Sequence, residues 1–305
     1  MSRQRADRDI AVTPASQDTL VRRRPVLVFL LFALGLGWPI LGLALLAGIP
    51  IVPVPLLLVM FGALLPAALV VTRLADGPGA VRRLLRRTLL WRFGLGRWAV
   101  VLFAVPVLTI AFAAVSGTLA APEDGWAREI GVYLFSTLVI GLLVLNLWEE
   151  LVWSGFMQSR LMARRGLLVG SLVTALFFAA IHVPLTFEAN DGWTDVAVSL
   201  GVLFGMAPVY RYLLGMHLLD TRGSILVVGV QHASWNASQS LGSVDGGTTE
   251  WQVLAAVATL TALVALERRR RTGRSTSDPD AEKAAAAAWV GARGADRASG
   301  RLSTS

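Results

Sequence analysis

The sequence predicts an all-α protein of the polytopic membrane class, a helical bundle with about eight transmembrane helices and both termini in the cytosol. Of its 305 residues, 55% are hydrophobic and only 16% are charged, a balance typical of membrane bundles. Lys and Arg stand in blocks between long apolar runs, as membrane topology requires. The net charge of +8 therefore indicates orientation, and we expect no nucleic-acid partner. With no cysteine in the chain, disulfides and thiolate chemistry are excluded.

The apolar runs divide the chain into three parts. Residues 1–24 end in three arginines and are expected to be a disordered cytosolic lead. The membrane domain is predicted at residues 25–267, and residues 268–305 are expected to be a disordered cytosolic tail. The predicted spans are residues 26–49, 56–71, 98–120, 131 onward to the turn at 164–166, 167–184, 196–219, 225–241 and 251–266.

Charge fixes the expected orientation. With the amino terminus inside, Arg128 is the only one of the 28 Lys and Arg residues on an outer loop, and the opposite orientation would invert the positive-inside rule. We therefore expect a multi-pass protein of the cell membrane. Residues 73–97 hold seven arginines, and a helix at the anionic membrane surface is predicted there, either as a lipid contact or only as a topology anchor. Its apolar and basic faces are Val81, Leu84, Leu85 and Leu89 opposite Arg82, Arg83, Arg86 and Arg87.

Glu149 and Glu150 follow an apolar run, and ionisable groups at membrane depth are costly enough to indicate a functional site. Glu150 lies roughly 21 Å along its helix from the turn at Arg164. The next helix runs back from that turn, and His182 lies about 22 Å along it. The acidic pair and His182 are therefore expected at one level.

The seventh predicted helix also starts on the arginine-rich side. His232 and Asn236 lie roughly 14 and 20 Å along it, one turn apart on one face. They are expected to meet the glutamates in a site that opens to water from the arginine-rich side. His217, near the end of the sixth helix, is interpreted as an interfacial residue.

These side chains suit hydrolysis by a water that a glutamate deprotonates. Two alternatives stay open. Glu149, His182 and His232 form the ligand set of a catalytic divalent metal such as zinc. Alternatively, His232 and Asn236 donate hydrogen bonds to the oxyanion of a tetrahedral intermediate with no metal. The sequence lacks the H-E-x-x-H of common zinc proteases, an intact G-x-S-G and paired intramembrane aspartates.

Three motifs on separate helices, E-E at Glu149, F-x-x-x-H ending at His182 and H-x-x-x-N starting at His232, resemble the CPBP family of CAAX prenyl proteases and bacteriocin-processing enzymes. The similarity covers residues 130–242. It implies a multi-span intramembrane endopeptidase, of metallo or glutamate type, acting on a membrane-associated peptide or a lipidated protein. It also implies Glu149 as the base, His182 as its partner, Glu150 in support, and His232 with Asn236 as oxyanion donors or metal-side ligands.

The first motif departs from the family pattern E-E-x-x-x-R, because Ser154 stands where the arginine belongs. Without that charge Glu150 is expected to be protonated at neutral pH. Either the site works with one ionised carboxylate, or the chain is an inactive scaffold or immunity-type protein. A proton or cation carrier is a further alternative, although the inverted repeat typical of carriers is not visible.

Overall fold

The computed structural model describes residues 19–190, 192–245, 247–271 and 279–291. Within these ranges the chain is helical, and its one β contact is an isolated bridge between Leu119 and Val244. The predicted all-α bundle is therefore confirmed. The helices are α1 Leu20–Arg23, α2 Pro25–Leu46, α3 Val54–Asp76, α4 Ala80–Arg86, α5 Leu95–Ser116, α6 126–165, α7 167–188, α8 Trp193–Asp220, α9 Ile225–Ser238, α10 Thr249–Arg271 and α11 Pro279–Val290.

Within the described ranges, six helical stretches are long and apolar enough to cross a membrane. One of them, Trp126–Glu188, reverses at Gly166, whose φ of +80° is a conformation that glycine adopts without steric cost. This glycine separates α6 from α7 at the predicted arginine-rich turn. In addition to these stretches, the 14-residue α9 is an apolar helix inside the bundle. A count of eight spans and the cytosolic position of both termini stay predictions.

Small residues let the helices around the site approach one another closely. A Cβ on Gly215 of α8 would lie 2.5 Å from the Leu167 side chain of α7. A Cβ on Gly155 of α6 would lie 2.6 Å from the Ile225 side chain of α9. Such contacts are typical of membrane helices, whose association depends on close van der Waals packing. They bring α6, α7, α8 and α9 together around the acidic pair.

The predictions of a disordered lead and tail are wrong where the structure describes those segments. Leu20–Arg23 is helical, residues 268–271 continue α10, and Pro279–Val290 forms α11. Alanines are strong helix formers, and Trp289 of α11 packs against Gly223, where a Cβ would lie 2.8 Å from the indole. Residues 1–18, 272–278 and 292–305 lie outside the described part of the chain.

Two polar residues are less exposed than the sequence suggested. His217, in the last turn of α8, is fully buried within the bundle, with Nδ1 3.5 Å from Arg97 Nη1, and its depth at the membrane interface stays a prediction. Arg87 does not lie on an exposed basic face. It is buried and donates to the carbonyls of Gly223 (2.7 Å) and Gly155 (3.0 Å) and to the Ser159 hydroxyl (3.0 Å).

Arg87 therefore ties the segment after α4 to α6 and to the start of α9. Burial, and then the nearby positive charge of Arg160, lower the pKa of Arg87 to about 9. The guanidinium is still charged at neutral pH. Arg82, Arg83 and Arg86 of α4 are exposed, and their contact with anionic lipid stays a prediction.

Candidate functional site

The acidic pair lies on a single α-helical turn, Leu147–Glu150, within α6. On both sides of this turn the helix widens to π-type hydrogen bonding, at Ser136–Asn146 and at Leu151–Gln158. Widened helical turns are rare, and they occur frequently at functional sites. Both carboxylates are buried, and Glu150 is completely enclosed.

Glu150 is held by three donors from three helices. His232 Nδ1 of α9 lies 2.8 Å from Oε1, and Arg211 Nη1 of α8 lies 2.8 Å from Oε2. The Ser154 hydroxyl donates to the same Oε2 from one turn further along α6. Each carboxylate oxygen thus has a partner. The hydrogen bonds of this buried carboxylate are therefore made within the protein.

Arg211 supplies the positive charge that the first motif lacks. Its side chain is fully buried, with the guanidinium carbon 3.9 Å from the centroid of the Phe178 ring. The expectation that Glu150 has no cationic partner is therefore wrong. Sequence reasoning missed Arg211 because it counted this residue with the topology-determining arginines. The signal was present, since a charged residue in an apolar helix is itself an indication of function.

Glu149 faces His182 across the end of α7. Oε1 lies 3.5 Å from His182 Nε2, and Oε2 lies 3.9 Å from His232 Nδ1. The backbone carbonyl of Phe178 lies 2.6 Å from His182 Nδ1. Because a carbonyl only accepts, Nδ1 carries a proton, and in neutral His182 the lone pair is on Nε2. The ring therefore presents an acceptor beside the carboxylate.

Asn236 reaches the acidic pair indirectly. Its Nδ2 lies 3.4 Å from Asn146 Oδ1, and Asn146 Nδ2 lies 3.4 Å from Glu149 Oε2. Asn146 is fully buried and was not singled out from the sequence. It is a polar residue within an otherwise apolar run, three positions before Glu149, and that pattern could have identified it. The structure thus brings Glu149, Glu150, His182 and His232 into contact and adds Asn236 through Asn146.

Two cavities of about 310 Å³ and 280 Å³ meet at His182 and Trp235. Glu149, His232 and Asn236 line the larger one. The smaller one reaches Asn190 and Ser199, near the ends of α7 and α8 that are remote from the arginine-rich turns. The expectation that the site opens from the arginine-rich side is therefore wrong. The reason is packing, because the whole of α6 from Glu150 to Met162 is buried.

The arrangement does not match a three-ligand metal site. Among the described residues, no three His, Asp or Glu side chains are placed so that they could hold a metal ion. Glu149 and His182 face one another, but His232 Nδ1 lies closer to Glu150 Oε1 (2.8 Å) than to Glu149 Oε2 (3.9 Å). A catalytic zinc needs three ligands at about 2.0–2.2 Å with an open fourth position. The function proposed below therefore takes no step through a metal.

The fold and the site define a class: a polytopic helical membrane protein whose buried acidic pair and histidines meet at an internal cavity. Residues 131–238 match the family model described as "Type II CAAX prenyl endopeptidase Rce1-like". The chain thus contains a domain of that family, within CPBP, and the resemblance seen in its three motifs is confirmed. The matched range includes all five predicted site residues and Arg211. The comparison with curated proteins found no match. The domain supports a CAAX-type intramembrane protease in a multi-pass membrane protein.

Proposed function

We propose that the protein is an intramembrane endopeptidase of the cell membrane in which Glu149 activates the hydrolytic water. The observation that supports this most directly is the position of Glu149 at the larger cavity, 3.5 Å from His182 Nε2. A buried carboxylate paired with an imidazole acceptor is suited to take a proton from water. Glu150 has a different role, since its side chain is fully enclosed and lines neither of the two cavities.

The proposed reaction begins with a water between Glu149 and the peptide carbonyl. Glu149 accepts a proton from the water while the oxygen bonds to the carbonyl carbon. His182, oriented by the Phe178 carbonyl, holds the water through Nε2. The proton on Glu149 then passes to the amide nitrogen as the C–N bond breaks, so that a free amine and a carboxylic acid leave and Glu149 is again a carboxylate.

Donors for the developing oxyanion come from α9. His232 gives its Nδ1–H to Glu150, so it offers a second N–H through Nε2 only as an imidazolium. The Asn236 amide bonds Asn146 with one hydrogen and retains another for an oxyanion. Donors placed in advance around a developing charge are commonly the largest contribution to catalysis.

Arg211 bears on the choice between an enzyme and an inactive scaffold. The scaffold alternative depended on the loss of the motif arginine. Because Arg211 pairs with Glu150 at 2.8 Å, a cation is present beside that carboxylate, supplied by α8. This removes the specific reason for proposing an inactive chain.

The test is cleavage by the purified protein in detergent, with a prenylated carboxyl-terminal peptide and an unmodified apolar peptide as separate probes. Glu149→Gln keeps the shape of the side chain and removes the base, and we expect at least a hundredfold loss, in the range that general base catalysis supplies (about 10²–10⁴). The matched control is Glu129→Gln. That carboxylate accepts from Ser243 outside the site, and its variant should cleave normally.

Equal rates for wild type and Glu149→Gln would contradict the proposal. So would an inactive wild type with both probes when thermal unfolding shows that it is folded. If only the prenylated peptide is cleaved, the CAAX-type substrate class is supported for this chain.

A further inference from the structure

The catalytic cavities lie toward one end of the bundle. On α7, His182 is six residues from the terminal Glu188 and fifteen from Leu167 at the arginine-rich turn. At 1.5 Å per residue these separations are about 9 Å and 22 Å. Gln239, just past the end of α9, lines both cavities, and Glu250 at the start of α10 lines the smaller one. These positions are at the ends remote from the arginines.

The opposite direction is closed. Between Glu150 and the arginine-rich turn, the next two turns of α6 place large side chains in the core. These side chains are fully enclosed: Leu151, Val152, Trp153, Phe156 and Met157. Arg211, Gln158 and Ser159 are also fully buried or nearly so. Gln158 Nε2 donates to the Arg211 carbonyl at 2.8 Å and to Ser171 at 3.1 Å. This packed layer separates the cavities from the arginine-rich face.

The distribution of Lys and Arg places the arginine-rich face in the cytosol. Resting on the proposed function, we propose that the site takes its substrate from the non-cytosolic side of the membrane, as an apolar internal segment of an exported or membrane-anchored polypeptide. The direction follows from the two observations together, since the cavities open away from the face that carries the arginines.

The lining of the cavities supports the class of substrate. Among the residues that line the two cavities there is no Lys or Arg, and Arg211 is buried against Glu150. The charged carboxylates of the lining, Glu149 and Glu250, would repel a free carboxyl terminus. The remaining surface is mainly aliphatic and aromatic, as in Leu185, Leu203 and Trp235. An extended apolar segment whose ends lie outside the cavities is the ligand that this surface fits.

The chain is suited to a test by thiol labelling because it contains no cysteine. Gln239→Cys puts one thiol at the mouth of both cavities, and Arg165→Cys puts one on the exposed turn between α6 and α7. Each variant is treated with a bulky membrane-impermeant maleimide, in intact cells and in inverted membrane vesicles. It is then solubilised, and cleavage of a quenched fluorescent apolar peptide is compared with the same variant left unlabelled.

We expect Gln239→Cys to be labelled in intact cells, with at least a tenfold loss of cleavage on labelling. Arg165→Cys should be labelled only in inverted vesicles and should keep its rate. Labelling of Gln239→Cys only in inverted vesicles would overturn the proposed side. Labelling in intact cells without loss of cleavage would overturn the cavities as the substrate route.

The failure of the proposed function has a separate signature, which is absence of cleavage by the unlabelled protein in detergent whatever the labelling pattern. The substrate class is tested with one peptide sequence in two forms, amidated and with a free carboxyl terminus. We expect the amidated form to be cleaved several-fold faster, and faster cleavage of the free acid would overturn the assignment of an internal segment.

Discussion

Replacing Arg211 with methionine is expected to leave Glu150 buried without its cation. Both side chains are fully enclosed and 2.8 Å apart. Breaking a buried ion pair by removing one partner costs about 3–5 kcal/mol. Ser154 and His232 continue to donate to Glu150, so we expect the lower end, about 3 kcal/mol. Because Glu150 also orients His232, the cleavage rate per folded molecule should fall by about tenfold or more, or about 1.4 kcal/mol in the barrier.

The second substitution, Ser154→Arg, tests whether Arg211 takes the place of the motif arginine. Ser154 Oγ lies 3.4 Å from Arg211 Nη1 at a fully buried position. An arginine added there to the wild type would meet a like charge in a packed core, where overpacking alone costs about 1–3 kcal/mol. In Arg211→Met the guanidinium of residue 211 is gone, so there is room for a new one, and Glu150 lacks a cationic partner. Ser154→Arg should therefore lower the stability and the cleavage rate of the wild type, and it should raise both in Arg211→Met.

The assay is a double-mutant cycle on thermal unfolding and on peptide cleavage, in one detergent. We expect a favourable coupling of about 0.5–3 kcal/mol between the two positions, as for residues in direct contact. Arg160→Met is the matched control, since Arg160 is also buried and pairs with Asp76 away from the site. It should lose stability while cleavage per folded molecule is retained. A double variant that is no more stable and cleaves no faster than Arg211→Met would refute the reasoning.

Two other predictions concern metal and packing. Prolonged treatment with a metal chelator should leave cleavage unchanged, because no three acidic or histidine side chains in the described ranges are placed to hold an ion. A loss that zinc restores would show that the site side chains rearrange around a metal. Gly215→Ala should lower the free energy of unfolding by about 1–3 kcal/mol, since its Cβ would lie 2.5 Å from Leu167 and 2.7 Å from Gln158 Nε2. Gly201→Ala in the same helix, with nothing within 4 Å, should be neutral or slightly stabilising in thermal unfolding.

The helices were predictable because their signal is local. An apolar run of membrane length followed by an arginine block identifies a helix without knowledge of its neighbours. The level at which Glu149 and His182 meet followed from counting residues from the Gly166 turn. Helix α11 was missed because its position depends on Trp289 packing against Gly223, a contact between residues 66 positions apart. Nothing in the alanine-rich sequence itself indicates that partner.

The partners of the acidic pair were less predictable because they depend on the rotation of each helix. Depth along a helix is fixed by the rise per residue, but the face that a residue presents is fixed by packing with other helices. Arg211 was at the right depth and was assigned to topology instead. The direction of the cavities was missed for a similar reason. Arginines mark one end of the bundle, but whether that end is closed depends on how Trp153 and Phe156 pack.

His232 shows how the structure separates two functions within one ring. Nδ1 donates to Glu150 Oε1 at 2.8 Å. This leaves Nε2 available to a substrate in the cavity that His232 lines. In His232→Asn the side-chain amide lies near the former position of Nδ1 and can still donate to Glu150. In His232→Gln the longer side chain places its amide closer to the position of Nε2. We therefore expect the Asn variant to be nearly as stable as wild type and the Gln variant to be less stable.

Cleavage should follow the opposite order. The Asn variant lacks any donor at Nε2, and loss of one oxyanion donor costs about 10²–10³ in rate. The Gln variant keeps an N–H in that region and should retain more activity per folded molecule, despite its lower stability. Thermal unfolding and cleavage rate, measured on the same preparations, separate the two effects. If the Asn variant cleaved at the wild-type rate, Nε2 would take no part in the reaction, and the role of His232 would reduce to holding Glu150 in place.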